Sequence, residues 1–276
     1  MKLFVTGGTG FIGGHFINIL PNEFEIFAIY RNKKYSKIQL NKHVNWVNKE
    51  LDYINSSDLK DIDAIIHFAS AGVSPQKATW EELYYFNVHC TLKLLRAAAQ
   101  AGVNKIIMAG SYMEYGLSAN IHEYIPPTAA LQPTTAYASS KAAAFELAHA
   151  FCLNSKISLT YNRIFSVFGE GQFIGNLWPS LQKAAKNNED FYMTSGKQIR
   201  DFIEVEKVAK IFLQDLNFSN KNTFLPKVKN ICSGKGVSIL DFAKFWWNRW
   251  GARGNLVPNK LPDRKNEPIR FVGRNK

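Results

Sequence analysis

The chain alternates short continuous apolar runs with longer stretches in which apolar residues recur every three or four positions. Lys2 to Val5, Phe24 to Tyr30, Ala64 to Phe68 and Lys105 to Ala109 are runs of the first kind and read as strands, with Val44 to Val47 a weaker one. Apolar runs without polar alternation suit a parallel sheet covered on both faces. Phe11, Ile12, Phe16, Ile17 and Leu20 mark a helix face; Leu83, Phe86, Cys90, Leu94, Leu95 and Ala98 place a second helix over Glu81 to Ala101, with Gly102 as its stop signal. Asp201 to Val205 and Val228 to Ile231 read as strands returning to the main sheet, with Glu206 to Leu216 a helix between them. Ser238 to Trp250 reads as another helix, capped by Ser238, whose Trp246, Trp247 and Trp250 suit packing better than base stacking. Strands alternating with helices of this length predict an α/β fold on a doubly wound parallel sheet. Right-handed crossovers then bring the C-terminal strand ends, and with them a ligand, to one edge.

The turn after the first strand is TGGTGFIG, Thr6 to Gly13. Strand, glycine-rich turn, apolar helix is the layout of a Rossmann dinucleotide site. Gly7 allows the tight turn, Gly10 lets the backbone approach a pyrophosphate, and Gly13 lets the helix opened by Phe11 and Ile12 pack close on the sheet. The helix start then points bare amides at the anion. The second strand ends on Arg31; an acid there would bind the ribose 2′-hydroxyl of NAD, whereas a cation accommodates the 2′-phosphate of NADP, so NADP(H) is favoured over NAD(H). Leu51 and Asp52 follow the weak third strand and place a carboxylate near the adenine. The fourth strand ends in Phe68, Ala69 and Ser70, small enough beyond the phenylalanine for a cofactor to lie against it. His67, inside that run, reads as a satisfied core histidine rather than a base.

Ser111 stands where the fifth strand ends, and Tyr137 and Lys141 follow four residues apart, a spacing that shares a helix face. A tyrosine is a poor acid or base near neutrality, and an adjacent ammonium lowers its pKa by stabilising phenolate. Ser111 is then placed to polarise a substrate carbonyl. An exposed helix face explains many Tyr–Lys pairs; coupled to the glycine loop and the serine, the catalytic reading dominates.

With 276 residues, 46% of them hydrophobic and 20% charged, the chain suits one domain with an added lobe. Its formal net charge of +12 is dispersed and accompanied by no nucleic-acid-binding motif, so it reads as a basic surface that draws in anionic ligands. Cys90, Cys152 and Cys232 lack metal spacing and suit free thiols in a reducing compartment. No signal pattern opens the chain and no apolar run is long enough for a bilayer, so a soluble cytoplasmic protein is expected, with no membrane partner.

Taken together, TGGTGFIG, Asp52, IIHFAS, Asn87, GSYMEYG, AYASSK, RIFSVFG, IRDFIEV and DRKNEP resemble, in order and spacing, the extended short-chain dehydrogenase/reductase family, the branch of nucleotide-sugar epimerases, dehydratases and reductases. The resemblance implies that Tyr137 is the acid/base, that Lys141 lowers its pKa and holds the nicotinamide ribose, and that Ser111 bonds the reacting oxygen. Asn87 becomes a structural and cofactor-side residue. Arg200 and Arg264 match positions where relatives grip the substrate pyrophosphate, a task that suits the guanidinium fork; a surface ion pair is the alternative for each. Ser166 stands where many relatives carry an asparagine that contacts the sugar nucleotide. Residues 1–168 and about 198–235 form the expected cofactor domain, and 169–197 with about 236–276 a small C-terminal substrate-binding lobe. Helices around Phe86 to Ala98 and Lys141 to Phe151 match those that relatives use for a four-helix homodimer interface.

Departures narrow the activity. In 4,6-dehydratases an Asp-Glu pair usually follows the catalytic hydroxyl; here Ser111 is followed by Tyr112 and Met113, and Glu114, one position late, would face away on an extended segment. Elimination then lacks its general acid/base. The expected activity is NADPH-dependent reduction of a nucleoside-diphosphate-4-keto-6-deoxyhexose, of the kind that supplies deoxysugars for bacterial surface polysaccharide such as lipopolysaccharide. The alternatives are a nucleotide-sugar 4-epimerase, which uses the same three residues, and a cofactor-binding sensor without turnover.

Overall fold

The computed structural model describes residues 1–30, 38–73, 78–217, 224–263 and 267–274. Its strands are β1 (Lys2–Thr6), β2 (Glu25–Ile29), β3 (Asn45–Val47), β4 (Ala64–His67), β5 (Lys105–Ser111), β6 (Ser158–Ile164), β7 (Ser166–Phe168), β8 (Phe191–Tyr192), β9 (Ile199–Glu204), β10 (Lys227–Ile231), β11 (Gly236–Ser238), β12 (Leu256–Val257) and β13 (Arg270–Phe271). The α-helices are α1 (Phe11–Ile19), α2 (Trp80–Tyr84), α3 (Cys90–Ala101), α4 (Ala136–Asn154), α5 (Leu177–Asn187), α6 (Val205–Asn217) and α7 (Ile239–Arg249).

Seven strands form a parallel sheet in the order β10-β6-β5-β4-β1-β2-β3. The direction of winding reverses between β1 and β4, where Thr6 stands level with His67. A crevice outside the strand ends at such a switch point is where doubly wound sheets bind ligands. The apolar runs are buried on both faces, as their lack of alternation predicts. Phe4, Ile65 and Ile106 pack with Leu94, Leu95 and Ala98 of α3 and Ala148 of α4. Leu3, Val5, Ile66 and Ile107 pack on the other face with Phe16 and Ile17 of α1 and Val208 and Phe212 of α6.

Two expectations are corrected. The helix predicted over Glu81 to Ala101 is interrupted: Thr79 and Glu82 make a reciprocal capping box at its start, and the backbone widens into a π-helical turn over Tyr85–His89 before α3 resumes. Gly102, in the left-handed region at φ 77°, ends it as predicted. The strand predicted at Asp201 to Val205 does not return to the main sheet. That edge is taken by β10, and β9 instead pairs with β7, β11 and β13 in a four-stranded second sheet. The reason is polar: the buried carboxylate of Asp201 accepts from the amides of Ser233, Gly234 and Gly273, which binds β9 to the segments around β11 and β13.

Around this second sheet lies an aromatic core. Phe168, Trp178 and Phe242 are buried together, the ring of Phe202 stacks on Phe242, and Trp246 and Trp250 close the cluster. Ser238 caps α7 through the Asp241 amide, and Trp247 packs in an adjoining cluster with its indole N–H on the Gly254 carbonyl. The three tryptophans are packing residues. All three cysteines are buried and unbridged.

Candidate active site

The glycine loop is shaped by close backbone approaches. Gly7 has φ +72°, and a Cβ there would stand 2.7 Å from the Ala69 amide nitrogen; one on Gly13 would stand 2.3 Å from the Gly7 carbonyl oxygen. Side chains are excluded at both positions by the protein itself, since β4 and the start of α1 close on the turn. Gly10 is different. It caps α1 without any side-chain hydrogen bond, and its Cβ position is approached closely only by the Gly7 carbonyl, at 3.0 Å. Among the described residues nothing accepts from the first amides of α1, and a nucleotide pyrophosphate fits that cradle.

Residues expected around such a cofactor line the same strand ends. Phe68 packs on Phe212 at 4.6 Å between ring centroids. Ser70 and the Ala71 amide both donate to the Oδ1 of Asn87, at 3.0 and 2.8 Å, while the Asn87 amide group donates to the Ala71 carbonyl and to Ser140 on α4. Asn87 sits in the π-helical turn, whose extra residue turns its side chain inward. It thus ties the loop after β4 to the helix that carries Tyr137. Leu51 is buried in a short 3₁₀ turn, and Asp52 accepts a 2.8 Å hydrogen bond from Tyr85, which pushes that phenol up to about 12. Arg31 lies outside the described residues.

His67 is the satisfied core histidine the sequence predicts. Thr91 gives its proton to the Asn87 carbonyl and so accepts from the His67 Nε2, leaving Nδ1 to accept from Thr6 at 2.7 Å. Burial, aided by the charge of Lys141, lowers its pKa from 6.5 to about 3.

Ser111, Tyr137 and Lys141 converge at the end of β5. Tyr137 lies beside Ser111 and Ser70, and the Lys141 ammonium, one turn along α4, donates to the Ala109 carbonyl of β5 at 2.8 Å. The phenol nevertheless titrates well above its ordinary value. Burial is the largest cause, the two serines oppose it, and the charge of Glu114 adds to it. Lys141, from which a depression of the Tyr137 pKa was expected, is not among these causes; it is itself pushed down by burial.

Glu114 departs most from expectation. Residues Tyr112–Tyr115 form a 3₁₀ turn rather than an extended segment, so the carboxylate folds back and accepts from the Ser111 amide at 2.7 Å while the Ser111 hydroxyl accepts from Met113. Its other partners are Tyr161, at 2.8 Å, and Arg163 Nε, at 2.7 Å. Burial pushes the carboxyl up, yet all three neighbours are donors, which holds it in its acceptor-only, ionised form. The signal was in the sequence: Ser-x-x-Glu at 111–114 is a capping-box pattern. With Glu114 so engaged, no carboxylate among the described residues is left beside Ser111 to serve elimination.

Of the residues expected on the substrate side, Ser166 is half-buried at the start of β7, level with Phe202 of β9. Arg200 is committed to protein partners. Its guanidinium donates to the Ile199 and Ile269 carbonyls and pairs with Glu267 at 2.8 Å, above the ring of Phe271. The ion-pair alternative describes it, though Arg200 itself is buried and only Glu267 reaches solvent. Arg264 lies outside the described residues.

The model of the NAD dependent epimerase/dehydratase family matches residues 3–231. The chain belongs to that family. It is 26% identical over 270 residues to a putative UDP-glucose 4-epimerase of Methanocaldococcus jannaschii, covering 94% of this chain and 85% of the relative. It is 28% identical over 258 residues to the dTDP-D-glucose 4,6-dehydratase of Mus musculus, covering 88% and 71%. Among solved structures, MoeE5 in complex with UDP-glucuronic acid and NAD superposes with a TM-score of 0.88 at 26% identity, covering 100% of this chain and 90% of MoeE5. The extended short-chain dehydrogenase resemblance and the parallel Rossmann-type sheet are borne out. These relatives are named for nucleotide sugars, and MoeE5 is in complex with NAD; they do not show the NADP preference read from Arg31. Among the described residues no helix is long and apolar enough to cross a membrane.

Proposed function

We propose that the protein reduces the 4-keto group of a nucleoside-diphosphate-4-keto-6-deoxyhexose with NAD(P)H. The Gly7-Gly13 turn and the free amides of α1 hold the pyrophosphate of the cofactor, Asn87 fixes the loop against which it lies, and Lys141 takes its ribose. Bound NAD(P)H supplies hydride to the C4 carbon. Ser111 hydrogen-bonds the C4 oxygen, and Tyr137 gives that oxygen the proton that completes the alcohol.

The observation that carries this reading is the gathering of Ser111, Tyr137 and Lys141 at the end of β5, with Glu114 spent on protein donors instead of serving as a dehydratase acid/base. A phenol with its proton in place can give it to a ketone oxygen, which reduction asks of it. NADPH is the preferred donor in this reading on account of the cation at Arg31.

A second reading, 4-epimerisation of a nucleotide sugar with retained NAD, is favoured by the relatives, several of which are named UDP-glucose 4-epimerases. It uses the same three residues. A homodimer through α3 and α4 fits either activity, and the exposed Trp80, Tyr84, Tyr85 and Leu153 on the α2–α4 side support it.

The test mixes the protein with NADPH or NADH and a panel of nucleoside-diphosphate-4-keto-6-deoxyhexoses, following nicotinamide absorbance and the sugar product. Multiple turnovers, lowered by ~10²–10⁴ in Tyr137→Phe, are expected. No cofactor consumption, together with interconversion of C4 epimers of an unoxidised sugar nucleotide, would replace reductase by epimerase.

A further inference from the structure

The residue after the catalytic strand that the chemistry leaves unused is Glu114, and its surroundings are too completely built for a bystander. Its carboxylate is fully buried, and both oxygens are occupied by donors from three places: the Ser111 amide, Tyr161 on β6 and Arg163 on β6. Arg163 is in turn walled in. Its guanidinium lies 4.3 Å from the centroid of Phe145 and 4.9 Å from that of Tyr115, and it donates to the Pro127 carbonyl and to the Tyr115 hydroxyl. Tyr115 continues to Asn230 on β10 at 2.6 Å. Gly110 leaves the room this requires, since a Cβ there would stand 2.2 Å from Cε1 of Tyr161 and 2.9 Å from Oε1 of Glu114.

We propose that Glu114, clamped by Arg163 and Tyr161, is a positioning residue that fixes the main chain at Ser111 and thereby aims the Ser111 hydroxyl at the reacting oxygen. The inference rests on the role given to Ser111 above. Both carboxylate oxygens are spent on protein donors, so the group acts through the amide it accepts from. A serine at a strand end has a free ψ and an adjoining turn, and either would swing its Oγ by an ångström or more. The reciprocal cap removes that freedom by engaging the Ser111 amide and hydroxyl at once, with the anchor carboxylate fixed by a charge-assisted bond to a cation that cannot move. Displacements of this size cost about a hundredfold in rate when they fall on a group that must meet a reacting atom.

The test is a double-mutant cycle between positions 114 and 111, read as kcat and KM on whichever nucleotide sugar the wild type turns over. Glu114→Ala should lower kcat about 30- to 100-fold with KM changed less than about threefold. In a Ser111→Ala background, where no hydroxyl remains to be aimed, the same change should cost less than about twofold. Because Glu114→Ala strands the Arg163 cation, the cycle is repeated with Glu114→Leu/Arg163→Met, which removes the amide's acceptor and leaves no buried charge. An equal loss from the position-114 change in both backgrounds would reduce Glu114 to a structural residue, as would wild-type kcat in Glu114→Leu/Arg163→Met. If Ser111→Ala alone keeps the wild-type rate, the assigned chemistry of Ser111 falls, and Glu114 with it.

Discussion

Each of the two larger sheets buries an arginine against a glutamate, and the two pairs are built differently. In the seven-stranded sheet Arg163 is 1% exposed, its partner Glu114 is fully buried, and three aromatic rings enclose the cation. In the four-stranded sheet Arg200 spends two of its bonds on main-chain carbonyls, and its partner Glu267 keeps 18% of its side chain in solvent. The first pair joins β6 to the turn after β5 and ends at Ser111. The second joins β9 to the residues just before β13, so it staples the C-terminal segment to the lobe. A buried pair whose members both lack access to water is a fixed geometric element, since losing either member leaves an uncompensated charge. A pair with one wet partner is a latch whose loss can be absorbed by hydration.

That contrast breaks down or sharpens by mutation. Arg163→Met should destabilise the protein by ~3–5 kcal/mol in urea denaturation, because Glu114 is left charged and dry, and Glu114→Leu/Arg163→Met should recover most of it. A loss under 1 kcal/mol would mean that Glu114 is protonated in the folded state. Arg200→Met should cost only ~1–2 kcal/mol, because Glu267 can rehydrate, while hydrogen exchange at residues 270–273 quickens. An Arg200 variant as unstable as Arg163→Met would erase the distinction.

His67 gives the most graded effect, as a polar group of the main sheet held neutral rather than charged. Its pKa is about 3 folded against 6.5 unfolded, so its share of stability is complete above pH 6.5 and is lost as pH falls from there through 3. Between those values it contributes a slope of at most ~1.4 kcal/mol per pH unit. His67→Asn should flatten the stability–pH curve over that window; an unchanged curve would mean that His67 titrates normally.

What the sequence made legible was local. The glycine turn, the apolar strands and the Tyr137–Lys141 spacing are set by neighbours within a turn or two, and they stand where predicted. The sheet membership of β9 was not, because its partners at 166–168, 236–238 and 270–271 are joined by non-local pairing that no periodicity encodes. Arg200 was read by its motif as a pyrophosphate grip, and its partner lies 67 residues away. Glu114 shows a different failure. The capping-box spacing was present, and an assumed extended backbone turned the side chain outward when the box turns it in.

The claim on which the account turns is that hydride reaches C4 while Tyr137 supplies the proton to its oxygen. It is tested most directly by running the reaction on a 4-keto sugar nucleotide with NADPH deuterated at the nicotinamide C4 and reading the product by NMR. One deuterium at the sugar C4 per cofactor consumed, with the rate collapsing in Tyr137→Phe, is the result the account predicts. A sugar product free of deuterium, formed without cofactor consumption, would contradict it.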